Sequence, residues 1–102
     1  MKTSKTETEW QKVCEPFVST METAINTKND EASAMQIYAD FDAATKDAGT
    51  STSVRNTRKA LLKTMHRSKS YLLRKFVTDK LKTLNFTEAE TKDILSPKLF
   101  YV

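Results

Sequence analysis

Glycine occurs once in this chain, at Gly49, and proline twice, at Pro16 and Pro97. Hairpin turns draw on glycine and asparagine at positive φ, so this shortage excludes a hairpin-rich β fold and leaves an all-α one. The lone Cys14 excludes an intrachain disulfide, and its place on an apolar helical face makes it a small buried side chain. The lone His66 leaves no histidine pair and no Cys–His spacing for a metal, and there is no glycine-rich phosphate loop. Glu7 and Glu9, like Glu88 and Glu90, are two apart and point to different helix faces, so neither pair forms a carboxylate dyad. The expectation is a protein with no catalytic group, no cofactor and no metal. The stretch Met1–Glu9 is polar, and no apolar run approaches the roughly 18 residues of a membrane span, so a soluble intracellular protein is expected.

The most informative shortage is of acid. Between Arg55 and Lys82 ten Lys and Arg residues face one acid, Asp79, giving 10 − 1 = +9. Residues 1–54 hold five Lys against nine acids, or −4, and residues 83–102 two Lys against three acids, or −1. A formal charge of +4 therefore hides a dipolar molecule, and one-sided basic charge is the footprint of a polyanion-binding surface.

With 38% apolar residues, 102 residues suffice for one helical domain, with residues 1–5 frayed, built as a small bundle of about four helices. Trp10, Val13, Cys14, Phe17, Val18, Met21, Ala24 and Ile25 fall in one stripe of roughly 140° and predict a helix over 6–26. The stripe keeps its phase across Pro16, which favours a kinked helix over a turn followed by a helix starting there. Asn29 or Asp30 can cap a second helix whose Met35, Ile37, Tyr38, Phe41 and Ala44 spread over about 180°, a face broad enough to pack against two neighbours, with Gly49 as its left-handed stop. Thr50–Ser53 is a polar connector able to end in an N-cap.

No Pro or Gly interrupts residues 54–84, so one long basic central helix is possible. Val54, Leu61, Leu62, Met65, Leu72 and Phe76 cluster on one side, while Leu73, Val77, Leu81 and Leu84 lie roughly 80 to 100° further round. Either the helix runs through and twists its contact face, the slightly preferred reading, or it breaks near Arg67–Ser70 with Ser68 or Ser70 capping the next helix. Thr87 and Glu90 form a capping box, with Phe86 as staple, for a short helix ending at Leu95 before Ser96 and Pro97. The apolar tail Leu99–Val102 suits docking into a groove or, through Phe100 and Val102, recognition as a peptide by a β-augmenting domain.

Arg55, Lys59, Lys63 and Arg67 stand four apart, with Arg74 seven further on. Like charges at that spacing repel within a helix, and no acid within the stripe relieves them. The stripe therefore calls for an acidic surface elsewhere. Asp40, Asp42, Asp47, Glu15 and Glu22 could serve internally, but −4 cannot cancel +9. The first functional expectation is a small nucleic-acid-binding protein, for DNA or RNA, gripping phosphates through Arg55, Arg58, Lys59, Lys63, Arg67, Lys69, Arg74 and Lys75. Thr57, Thr64, Ser68 and Ser70 add hydroxyl donors, and Tyr71 could stack on a base. Contact with four to six phosphates gives a log-affinity against log-salt slope of about −4 to −5 on duplex.

The alternative is a protein-interaction module, an adaptor or inhibitor docking its basic helix on an acidic protein surface. A head-to-tail homodimer fits either reading. Residues 72–84 and 87–95 resemble a helix-turn-helix in outline, but Glu88, Glu90 and Asp93 on the second helix would be repelled from the major groove. A membrane surface is disfavoured because Leu61, Leu62, Met65, Leu72 and Phe76 are needed for the core. His66 is expected neutral because Lys63, Arg67 and Lys69 surround it in sequence.

Overall fold

The computed structural model describes residues 6–49, 51–68 and 70–95. The expected frayed start, Lys69 and the apolar tail lie outside them. The described residues form five α-helices and no strand: α1 (Glu7–Glu22), α2 (Glu31–Ala44), α3 (Thr52–His66), α4 (Tyr71–Leu81) and α5 (Glu88–Leu95). The architecture is the expected small helical bundle, with five helices where about four were expected.

The extra helix comes from the break in the basic segment. The slightly preferred continuous helix is wrong: α3 stops at His66 and Ser70 caps α4 by accepting from the Leu73 amide at 3.2 Å. The break resets the helical phase, and this corrects the core assignment. Leu73 and Val77 are buried, whereas Leu72, expected inside, is 53% exposed.

α1 begins with a capping box between Thr6 and Glu9, runs through Pro16 and continues as a π-helical turn over Thr23–Thr27. Asn29 closes it in the left-handed region at φ 53°, which asparagine tolerates better than most residues. Asp30 caps α2 by accepting from the Ser33 amide. The expected stop at Gly49 is displaced: α2 ends at Ala44, the Thr45 hydroxyl donates to the Phe41 carbonyl at 2.7 Å, and Gly49 serves the following loop at φ 62°.

α3 lies at the centre, packing on α1, α4 and α5, while α2 packs on α1 and α4. The buried side chains form one cluster that includes Trp10, Cys14, Met21, Tyr38, Phe41, Leu61, Leu62, Met65, Val77 and Ile94. Phe17 meets Phe41 edge-on at 5.5 Å, and Tyr38 meets Phe76 at 5.4 Å, tying α1, α2 and α4 together. No helix among the described residues is long and apolar enough to cross a membrane.

Glu7 ties the start of α1 to the start of α3. Its carboxylate accepts from the Ser51 hydroxyl at 2.9 Å and from the Thr52 and Ser53 amides at 3.2 and 2.9 Å. These bonds satisfy the first amides of α3 with a negative charge, where the helix dipole favours one. Backbone and hydroxyl donation from Ser53 and Ser51 holds the Glu7 carboxyl below its usual range.

Candidate nucleic-acid interface

The eight candidate cations divide into two groups. Four of them, Arg55, Arg58, Lys59 and Lys63, are held by acids of the same chain. Arg55 pairs with Glu90 through Nε and Nη2, its Nη2 also donates to the Asn85 carbonyl at 3.0 Å, and its guanidinium lies 4.8 Å over the Phe86 ring. Lys59 reaches Glu90 Oε2, which also accepts from Arg55 Nε, at 3.3 Å, and Lys63 reaches Asp93 at 3.2 Å. Glu90 and Asp93 are three apart on α5, so one face of that helix presents both carboxylates to the stripe on α3. The pairing depresses the Glu90 carboxyl to about 2, chiefly through the Arg55 hydrogen bonds and then the Thr87 amide of the capping box.

Arg58 points into the α2 side. It donates to the Tyr38 hydroxyl at 2.9 Å and to Asp42 at 2.6 Å, with its guanidinium 5.0 Å from the Phe41 ring centre. Its side chain is only 16% exposed, so it is a core cation and not a surface donor. Burial pushes the Tyr38 hydroxyl upward, so it stays protonated. Of the five acids expected to neutralise the basic helix internally, only Asp42 pairs with one of its cations among the described residues, and that cation, Arg58, lies off the stripe. The larger share falls to α5, whose acids had counted only as a reason against groove insertion.

Of the remaining candidates, Arg67 follows α3 at the α3–α4 corner, and Arg74 and Lys75 lie on α4. Arg67 and Arg74 are exposed and make no ion pair among the described residues, while Lys75 has only the exposed Asp79 at 3.5 Å. Lys69 lies outside the described residues. Tyr71, 69% exposed, shares one face of α4 with Arg74, Lys75 and Thr78, and Leu72 borders it. The exposed Tyr71 ring was anticipated from its sequence neighbours, whereas the exposed Leu72 was not.

His66, half-buried at the end of α3, has its pKa lowered first by burial and then by the nearby charge of Arg74. The expected direction is right, but the chief cause is burial, and the charge that adds to it is Arg74, across the break. Burial pushes the Cys14 thiol up, as for an unreactive buried sulfur.

A cleft of about 930 Å³ opens between the α2–α3 loop and the α4–α5 loop, with Arg55 and Arg58 in its wall. Asp42 is the sole acid lining it, and no histidine or cysteine does. Among the described residues no cluster of three or more His, Cys, Asp or Glu could hold a metal ion. No protein family, no curated protein and no solved structure matches the chain.

The helix-turn-helix outline is absent as a packed pair: α5 rests on α3 and covers its basic stripe. The basic surface left exposed is therefore centred away from the stripe. It joins Arg67 to the outer face of α4.

Proposed function

We propose that the protein is a non-enzymatic nucleic-acid-binding module whose contact surface is the outer face of α4 with the α3–α4 corner. The observation that carries this reading is Tyr71, 69% exposed, beside Arg74 and Lys75 on one helical face and following Arg67. An aromatic ring in water beside Arg74, which makes no ion pair among the described residues, and Lys75, which has only the exposed Asp79, suits a base stacked on the ring and phosphates on the flanking side chains, an arrangement that favours single strands. Thr78 supplies a further donor on the same face.

The test is fluorescence anisotropy of a labelled oligothymidine and of a duplex, titrated at several salt concentrations. Three or four phosphate contacts give a single-strand slope of about −2 to −3, shallower than all eight cations would give. Tyr71→Ala lowers single-strand affinity roughly tenfold. Absence of binding to either probe at low salt refutes the proposal.

A second reading, docking on an acidic partner protein, is favoured by Leu72, because an apolar side chain 53% exposed next to Tyr71 suits a protein contact better than a phosphate backbone. Reversal of Arg67 and Arg74 to Glu separates the two. Weakened oligonucleotide binding supports the first reading; loss of a co-purifying protein with oligonucleotide affinity unchanged supports the second.

A further inference from the structure

α5 is held on α3 by an unusual mixture of strong charge pairing and little apolar burial. Two carboxylates, Glu90 and Asp93, meet three cations, Arg55, Lys59 and Lys63. Only Ile94 of the eight helical residues is fully buried, with Leu95 and the preceding Phe86 partly so. A helix of this length is not stable alone, so its order depends on that contact. The three cations it covers continue directly into Arg67 at the same four-residue spacing, about 6 Å along the axis per step. The open surface on α4 and the covered stripe on α3 are thus two parts of one basic track, and α5 lies across the first part as an internal polyanion mimic.

We infer that the face of α3 beneath α5, carrying Arg55, Lys59 and Lys63, is a second phosphate-binding surface that a nucleic-acid backbone reaches by displacing Glu90 and Asp93. The inference rests on the nucleic-acid reading of the α4 face and gives it a regulation: α5 competes with the ligand for half of the track. A strand seated on Arg67 and α4 would extend along α3 as the carboxylates give way, exchanging two intramolecular acids for up to three phosphates. Glu90 is suited to this exchange, since one carboxylate serves both Arg55 and Lys59, and its release frees both at once.

The experiment compares wild type, the double variant Glu90→Gln with Asp93→Asn, and a control with the same change in net charge away from α5, Glu22→Gln with Asp40→Asn. Glutamine at 90 keeps the capping box with Thr87, so α5 retains its N-terminal cap. Single-strand affinity is measured against salt, with circular dichroism checking helix content. The α5 variant should bind at least about tenfold more tightly at low salt, with a slope steeper by about 2, which corresponds to three added contacts; the control should shift far less. In wild type, saturating oligonucleotide should lower hydrogen-exchange protection across Glu88–Leu95.

If wild type binds while the α5 variant matches the control, or if α5 amides keep their protection at saturation, the covered-surface inference is wrong and the α4 reading stands. If wild type fails to bind but the α5 variant binds, the α4 reading is wrong and the covered face is the site. If neither binds, both fall. Should the α5 variant lose helix content, the exchange measurement on wild type decides alone.

Discussion

Arg58 carries the charge of a phosphate-binding cation, but its surroundings make it a stability residue whose removal has a calculable effect. Arg58→Ala strands the hydroxyl of Tyr38, a residue 1% exposed, and leaving a buried polar group without its partner costs about 1–3 kcal/mol. Loss of the guanidinium from over the Phe41 and Tyr38 rings adds roughly 0.5–1 kcal/mol each. The pair with Asp42, an acid about half exposed, adds at most about 1 kcal/mol. Together these give about 2–6 kcal/mol, a large share of the roughly 5–15 kcal/mol that holds a domain folded. Thermal unfolding followed by circular dichroism should show Tm lower by roughly 10 °C or more. Tyr38→Phe isolates the first contribution: alone it costs about 1 kcal/mol, and combined with Arg58→Ala it costs much less than the sum, because the orphaned hydroxyl is gone. Oligonucleotide affinity of folded Arg58→Ala at low temperature should match wild type. A Tm within about 2 °C of wild type would refute the reasoning and return Arg58 to the surface.

Other outcomes follow from the same geometry. Glu7→Gln should destabilise at neutral pH by removing the charged cap of α3. Because the folded Glu7 carboxyl titrates below its usual 4.5, that contribution is present above this value and fades as pH falls through the depressed one, so the Tm curves of variant and wild type should converge in acid. Glu90, depressed to about 2, obeys the same sign rule: α5 amides should stay protected at pH values between the usual 4.5 and about 2, and open only as the lower value is approached. Leu72→Ser should change stability by no more than about 0.5 kcal/mol by urea denaturation, as for an exposed site, while Leu61→Ala should cost about 2–5 kcal/mol by opening a cavity in the core.

What could be read from the sequence was local. The α1 stripe survives Pro16 because its phase needs only spacing, and the Thr87–Glu90 capping box appears where its residues lie three apart. The break after His66 was visible as the run Arg67–Ser70, which holds no strong apolar residue, yet propensity alone could not outweigh the lack of Pro and Gly. Once α4 restarts at Ser70, its phase is independent of α3, and this moved Leu72 outward and Leu73 inward. The fate of the basic stripe was not legible, because Glu90 meets Arg55 across 35 residues and Glu7 meets Ser53 across 46. Pairings at that distance depend on which helices pack together, and charge counts by segment carry no such information. The counts were right that acids of residues 1–54 leave most of the stripe unpaired. They missed that two acids on an eight-residue helix, well placed, neutralise more of it than nine acids spread over 54 residues.

The central claim is that a polyanion meets this protein at Arg67 and the outer face of α4, with Arg58 committed to the core. The most direct measurement is chemical-shift mapping on uniformly ¹⁵N-labelled protein titrated with a short oligothymidine at low salt. The account predicts that the largest shifts fall on Arg67 and on Tyr71 through Asp79, with the Arg58 side-chain resonance unmoved. No shifts at all, or shifts confined to α1 and α2, would contradict it.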